Sequence, residues 1–295
     1  MPQETQQLVG DDRYTPYWAE VFIHDDGRVN IPRLEVYPVL GCNIRCQYCG
    51  NFSPYRQGVV PLEKIVYWFE TWSKKVRPNI LSILGGEPFL HTDLASIILE
   101  SRRMWGNSKL ELLSNGFLIP QTSQSIINIL KKMEINVIIS DHSGADLSRE
   151  KIVAACSRLK ENGVLYELRQ SNAKWRVRYQ LKNDDTPIPF QSSPRDAWSF
   201  CRSQHHALSN NRLYKCPTLA CIIAAVEEGA LSSELWKDAL TYTPLFPTTD
   251  AISILKHFRT GFVKECSVCS DTFTTTEPKQ MPHLPQRIQK VEPME

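Results

Sequence analysis

Between residues 34 and 170, short apolar runs rich in β-branched residues alternate with stretches whose apolar positions recur every three or four residues. That is the pattern of strands and amphipathic helices alternating in a parallel α/β sheet. Residues 34–40 (LEVYPVL) read as a strand leading into a loop at Gly41. Pro61 opens a helix (PLEKIVYWFETWSKKV) in which Ile65, Trp68, Phe69 and Trp72 share one face. A strand over residues 80–84 ends at Gly85-Gly86-Glu87-Pro88, and Thr92 or Asp93 caps a helix that buries Leu94, Ile97, Ile98 and Met104. The unit then repeats: a strand at 110–113 ending at Ser114-Asn115-Gly116, a helix at 123–133, and a strand at 135–139 ending at Ser140-Asp141-His142. Ser148 caps a further helix stopped by Asn162-Gly163, and residues 164–168 and 175–181 complete the series as fifth and sixth strands. Right-handed crossovers would curl these units into a partial (β/α)6 TIM-like barrel. In parallel α/β folds ligands sit at the C-terminal ends of strands, where every unusual loop just named falls.

After residue 182 the pattern changes. Residues 182–199 are polar, contain Pro187, Pro189 and Pro194, and read as a connector. A hairpin follows, with strands at 205–209 and 212–215 around Asn210-Asn211, and then helices near 220–228, 233–240 and 250–258. Residues 271–295, rich in Thr and Pro, read as a loosely held tail. The expected division is therefore a barrel over 1–181, a small C-terminal domain over 182–270, and a tail over 271–295.

Composition removes several function classes. A net charge of +2 over 295 residues gives no global attraction to nucleic acid or to an acidic membrane. No apolar run reaches transmembrane length, and the polar first ten residues resemble no targeting sequence, so a cytoplasmic protein is the default expectation. The nine cysteines are an odd number in a chain without an export signal, which favours metal or redox chemistry over a disulfide framework.

Cys42, Cys46 and Cys49 lie on one loop at x3 and x2 spacing. Three thiolates leave one iron of a cubane cluster free to bind another ligand; the alternative is a zinc knuckle completed by a distant fourth ligand. The segment CNIRCQYC, with Tyr48 before the last cysteine, resembles the signature of the radical S-adenosylmethionine (SAM) superfamily, as do Gly85 to Pro88 and Ser114 to Gly116 at successive strand ends. The resemblance implies a SAM-binding [4Fe–4S] cluster on Cys42, Cys46 and Cys49. It implies that Gly85, Gly86 and Glu87 meet the amino group of SAM, that Tyr48 meets the adenine, and that Ser114, Asn115 and Ser140 meet the ribose or carboxylate. It further implies a flavodoxin- or ferredoxin-type electron donor.

Cys201, Cys216, Cys266 and Cys269 number four, enough to close a cluster with no open site. A cysteine before a hairpin, one after it and a later Cys-x-x-Cys resemble the SPASM and twitch extensions, and five cysteines beyond residue 200 fit a single twitch-like auxiliary [4Fe–4S] cluster. Structural zinc is the alternative, and His205 or His206 could replace a ligand. Cys156 and Cys221 read as small core residues.

The radical chemistry implied is reductive cleavage of SAM and hydrogen abstraction from a small polar substrate. About 33 residues before the first strand leave no room for a leader-binding domain, and none is evident for cobalamin. One auxiliary cluster on a short chain resembles aminocyclitol dehydrogenases, so oxidation or epimerisation of a sugar, aminocyclitol or natural-product intermediate is expected. A peptide-modifying enzyme is the alternative, and the basic, aromatic stretch 169–182 (RQSNAKWRVRYQLK) admits an RNA-modifying one. Candidate catalytic residues are His142 and His205 for proton transfer and Arg169 for holding an anion, each with a bland reading as a turn cap or surface pair.

Overall fold

The computed structural model describes residues 20–142, 149–170, 175–201, 205–272, 275–276 and 279–281. The strands of its main sheet are β1 (Phe22–Ile23), β2 (Val29–Val39), β3 (Val76–Gly85), β4 (Lys109–Ser114), β5 (Asn136–Asp141), β6 (Tyr166–Gln170), β10 (His206–Ser209) and β11 (Arg212–Tyr214). Their order across the sheet is β11-β10-β2-β3-β4-β5-β6, with β1 paired to β2 off this path. From β10 through β6 every neighbouring pair is parallel, whereas β10 and β11 form an antiparallel hairpin and β1 is an antiparallel flap on β2. Four helices, α1 (Leu62–Trp72), α2 (Leu94–Met104), α3 (Gln124–Lys132) and α4 (Arg149–Glu161), connect successive strands. This is the partial TIM-like barrel that the alternating pattern predicts.

Strand alternation separates two interiors. Leu34 and Val36 of β2, Leu81 and Ile83 of β3, Leu110 and Leu112 of β4, and Val137 and Ile139 of β5 pack outward against Ile65, Phe69 and Trp72 of α1 and the matching residues of α2 to α4. The intervening residues face the barrel lumen. Toward the N-terminal ends that lumen is plugged by ions: Arg33 donates to Ser82 Oγ at 2.6 Å and to Glu111 Oε2 at 2.5 Å, and Lys109 reaches Glu111 Oε1 at 3.0 Å. Toward the C-terminal ends Leu84, Leu113 and Ser140 leave it open.

The sixth parallel strand is not the expected one. Only β7 (Trp175–Arg176) and β8 (Gln180–Leu181) are extended within 175–181, and they pair locally with β12 (Thr275–Thr276) and β9 (Pro187–Ile188). Between them Val177 and Tyr179 are buried, and Tyr179 stacks on Phe52 with ring centroids 4.7 Å apart, so the segment packs into a second core rather than extending the sheet. The sixth place goes to β10, which pairs with β2 at the opposite edge (Ala207 opposite Glu35). The hairpin of β10 and β11 therefore extends the main sheet. The second core, of Tyr214, Leu219, Ile222 and Trp236, also takes in Tyr37 and Phe52 from the barrel side.

Two further elements differ from the pattern-based expectation, whereas the helices expected near 220–228 and 250–258 are present. Within the connector, α5 (Pro194–Phe200) forms because Ser193 caps it, accepting from Asp196 N at 3.4 Å, with Pro194 in its first turn. The helix α6 (Pro217–Glu227) starts at Cys216, and α7 (Ala251–Arg259) is capped by Asp250. The helix expected over 233–240 is a set of turns ending in a single 3-10 turn (Ala239–Thr241), anchored by the Trp236 indole donating to Pro187 O at 3.2 Å.

Candidate active site

The three-cysteine loop is held between the ends of β2 and β3. On one side Leu40 N bonds to Gly58 O at 3.0 Å and Val60 N to Pro38 O at 2.8 Å. On the other, Gly86 N bonds to Val39 O at 2.8 Å and Glu87 N to Gly41 O at 3.1 Å. This close approach explains the double glycine: a Cβ on Gly85 would strike the Val39 carbonyl, and one on Gly86 would strike that of Gly41. The glycines thus let backbone meet backbone. Within the loop Cys49 N turns back to Cys46 O at 3.3 Å, and Tyr48 takes a left-handed φ of 59°, a conformation unusual for an aromatic residue.

Cys42, Cys46, Tyr48 and Cys49 line a cavity of about 520 Å³ at the C-terminal mouth of the barrel. Gly85 and Gly86 from the end of β3, Ser114 and Asn115 from β4, and Ser140 and His142 from β5 line it too. Sites predicted from three separate strand ends therefore share one chamber. A second cavity, of about 380 Å³ and lined by Phe22, Asn30 and Arg77, lies at the other end of the barrel and contains no cysteine.

Glu87 is placed differently from expectation. It is fully buried behind the cavity wall, where its carboxylate accepts from Ser114 Oγ at 2.8 Å, Asn115 N at 2.9 Å and Phe89 N at 3.3 Å. It therefore joins the β3 loop to the β4 loop instead of facing the chamber. Burial raises its pKa to about 7 against the opposing pull of those donors. The Ser114 hydroxyl is likewise occupied, donating to Glu87 and accepting from Gly116 N at 2.9 Å. Asn115 reaches back to the cysteine loop, its Nδ2 lying 2.7 Å from Asn43 Oδ1 and 3.5 Å from Cys42 Sγ.

Of the three catalytic candidates only His142 lines the chamber, and burial lowers its pKa to about 4, leaving a neutral imidazole at pH 7. Arg169 lies outside it, ion-paired to Glu167 at 2.8 Å, because both side chains are solvated on β6 at the sheet edge. His205 is also elsewhere. Its Nδ1 lies 2.5 Å from Glu35 Oε1 in the lumen, and Tyr37 donates to the other carboxylate oxygen at 2.5 Å.

Sequence reasoning missed Arg178, which reads in the sequence as one charge in a basic stretch. It lines the chamber, packs its Nε 3.7 Å from where a Gly50 Cβ would stand, and donates from Nη1 to Thr218 Oγ1 at 2.9 Å. Among the described residues no other one lining the chamber carries a permanent charge. Burial disfavours that charge, but Cys201, Cys269 and Cys216 and the Glu35 carboxylate outweigh it and raise the pKa. The missed signal was the alternation Val177-Arg178-Tyr179, in which two buried apolar neighbours point one way and the cation the other.

Arg178 thus stands between the two cysteine sets. Cys201 caps α5, whose turn packs on the 3-10 segment Lys264–Val268 that carries Cys266 and ends at Cys269. Phe190 N to Val268 O at 3.1 Å and Ser192 N to Ser267 O at 3.0 Å fix that contact. Cys216 caps α6 and lies within electrostatic reach of Cys269, Cys201 and Cys266. Beside it Lys215 donates to His257 O at 2.9 Å and to Thr260 O, which places an ammonium near thiol groups that burial keeps protonated. Burial also raises the pKa of Cys46 and lifts that of Cys42 to about 12. Any metal bound at these thiols would therefore have to displace protons. Among the described residues no three His, Cys, Asp or Glu side chains crowd around a single ion position. A cubane does not require them to, since each thiolate binds a different iron.

Residues 36–165 match the family described as the Radical SAM superfamily, and that span holds the three cysteines, both glycines and the Ser114-Asn115 pair. That span is what this chain shares with radical SAM proteins. Eight curated bacterial relatives match, each a GTP 3',8-cyclase. The one from Sulfurovum sp. is 32% identical over 101 residues, covering 32% of this chain and 31% of its own length. That from Aquifex aeolicus is 30% identical over 131 residues, covering 41% and 38%. The chain thus spans between about a third and two fifths of the length of the curated relatives it matches. Among solved structures, Streptococcus suis SuiB bound to S-adenosylmethionine aligns at TM-score 0.40 and 21% identity over 49% of this chain and 36% of that one. BtrN in an open conformation aligns at TM-score 0.35 and 18% identity over 62% and 68%.

These relatives overturn the expectation of oxidation or epimerisation of a sugar or aminocyclitol: every curated match is to a cyclase acting on GTP. Among the described residues no helix is long and apolar enough to cross a membrane.

Proposed function

We propose that this chain is an enzyme that cleaves SAM reductively at a [4Fe–4S] cluster held by Cys42, Cys46 and Cys49, and acts on a purine nucleotide. The observation that carries the reading is the convergence of those three thiols with Gly85, Gly86, Asn115 and Ser140 on one chamber at the barrel mouth. When bound, the cluster and SAM supply a 5′-deoxyadenosyl radical that takes a hydrogen atom from the substrate.

The chain's own residues account for the rest. The turn at Gly85 and Gly86 and the backbone N–H of Glu87 brace the cysteine loop from behind, and the Glu87 carboxylate ties that turn to the β4 loop. Tyr48, Asn115 and Ser140 line the chamber and would face SAM. Tyr48 packs against Tyr179, their rings 5.6 Å apart, and Tyr179 stacks in turn on Phe52, which fixes the Tyr48 ring at the chamber wall. Arg178 supplies the positive charge that a nucleotide phosphate would meet. The substrate class is that of the curated relatives, all GTP 3',8-cyclases. Cys201, Cys216, Cys266 and Cys269 would hold an auxiliary [4Fe–4S] cluster, Arg178 lying between it and the chamber, and a flavodoxin- or ferredoxin-type protein would deliver the electron.

The test is anaerobic turnover of reconstituted protein with dithionite, SAM and ribose-deuterated GTP. Deuterium in the 5′-deoxyadenosine confirms the reading. 5′-Deoxyadenosine without deuterium retains SAM cleavage and rejects GTP, and its absence rejects both.

A further inference from the structure

The segment expected to be a loose tail includes residues bound to the cysteine loop itself. Residues 279–281 run antiparallel to Arg45–Gln47, with Gln47 N bonded to Lys279 O at 2.8 Å, Met281 N to Arg45 O at 2.8 Å, and Gln280 opposite Cys46. Met281 is 5% exposed, so this contact is packed as well as hydrogen-bonded. Upstream, β12 pairs with β7, which ties the same segment to the strand leading to Arg178.

The register sets the direction of the Gln280 amide. Its Oε1 accepts from Arg45 N at 2.7 Å, and its Nε2 lies 3.5 Å from Cys46 Sγ. Reversing the amide would set Nε2 against the Arg45 N–H and Oε1 against the lone pairs of the sulfur, losing both contacts. Of the three cysteines on the loop, Cys46 is the one this segment reaches, and it is also buried.

We propose that Gln280 is a positioning residue of the SAM-cleaving cluster: its amide donates to the Cys46 sulfur, and residues 279–281 strap the cysteine loop into its ligating shape. The proposal rests on Cys46 being a cluster ligand. A donor to a ligating thiolate stabilises the reduced cluster, which carries the greater negative charge. Gln280 would therefore raise the reduction potential and ease reduction of the cluster by its electron donor. The strap also covers one side of the buried sulfur.

The test is an EPR-monitored redox titration of full-length, reconstituted wild type, Gln280→Leu and Gln280→Glu without SAM, with iron counts and far-UV circular dichroism. Gln280→Glu keeps the acceptor for Arg45 N–H, so the strap is retained while the donor to sulfur is replaced by negative charge. Expected at fixed potential is an at least threefold lower reduced-to-oxidised ratio in Gln280→Leu, about 30 mV at 59 mV per tenfold for one electron. A larger fall is expected in Gln280→Glu, with iron and fold unchanged in both. Should Gln280→Leu lose iron, the Gln280→Glu shift alone decides. Equal potentials in Gln280→Glu and wild type overturn the proposal. A SAM-responsive signal and full iron content that survive Cys46→Ala instead reject Cys46 as a ligand and take the proposal with it.

Discussion

Gly86→Ala is the substitution for which the structure gives the sharpest expectation. An added Cβ would strike the Gly41 carbonyl and come within 3.0 Å of Cys42 N, so the end of β3 and the cysteine loop must separate. Both partners are backbone, which no rotamer change relieves. Separation would break Gly86 N to Val39 O and Glu87 N to Gly41 O, each worth about 1 kcal/mol net. Overpacking of a tight contact adds about 1–3 kcal/mol, for a total of about 3–5 kcal/mol. At roughly 2–3 °C per kcal/mol for a chain of this size, the thermal midpoint of the apoprotein should fall by roughly 6–15 °C. Iron retention at the first site should fall with it, because the loop carrying Cys42 is what moves. Differential scanning calorimetry on the apoprotein and iron analysis after reconstitution provide the two readouts. Gly106→Ala, whose Cβ would meet nothing closer than the Arg102 carbonyl at 3.5 Å, is the control. A Gly86→Ala protein melting within 2 °C of wild type, by the same estimate under about 1 kcal/mol, and holding full iron would show that the two backbones are not locked together.

Three further expectations follow from the same geometry. The pKa of Glu87, raised to about 7 in the fold against 4.5 for an ordinary glutamate, means that the native state binds the extra proton between those limits. Apoprotein stability from this group is therefore fully present below about pH 4.5 and lost as pH rises through about 7, by about 3 kcal/mol in all; Gln at this position should flatten that part of a stability profile, and an unchanged profile would contradict the assignment. Arg56 is buried and grips Glu228 through Nε at 2.8 Å and Nη2 at 2.6 Å, tying the cysteine-loop return to the end of α6; Arg56→Ala should destabilise by about 2–4 kcal/mol in chemical denaturation, with Lys restoring only part of it because it cannot bind bidentately. Arg178→Gln removes the permanent charge from the chamber wall, and loss of a charge-assisted bond of about 1.5–3 kcal/mol should weaken GTP binding roughly 10- to 100-fold by calorimetry; an unchanged affinity would place the phosphates elsewhere.

The barrel was legible because its strands and helices each bury one face, and Leu34, Leu81, Leu110 and Val137 recur at the spacing their elements demand. Strand lengths were harder to read: β2 and β3 begin at Val29 and Val76, well before the expected starts, because Pro32 and Pro78 interrupt the apolar run without ending the pairing. The site's membership was legible through short loops of unusual composition, yet not the direction of each side chain. Glu87 looks like a partner for a ligand amine, but three donors on neighbouring backbone and Ser114 turn it inward. Arg169 and Arg178 are indistinguishable as sequence; burial of Val177 and Tyr179 around one, and an adjacent Glu167 for the other, separate them. The Gln280 contact spans 234 residues, and no local pattern announces a pairing of two such short segments.

The functional reading stands on Cys42, Cys46 and Cys49 holding a SAM-cleaving cluster while the second cysteine set holds another. Both assignments are tested together by iron and sulfide analysis with EPR, with and without SAM, on anaerobically reconstituted wild type and on a Cys42→Ala/Cys46→Ala/Cys49→Ala variant. Expected are about eight irons in the wild type and about four in the variant, with a SAM-dependent change of signal only in the wild type. Four irons in the wild type and none in the variant would remove the auxiliary cluster, and zinc in place of iron, with no response to SAM, would contradict the radical mechanism itself.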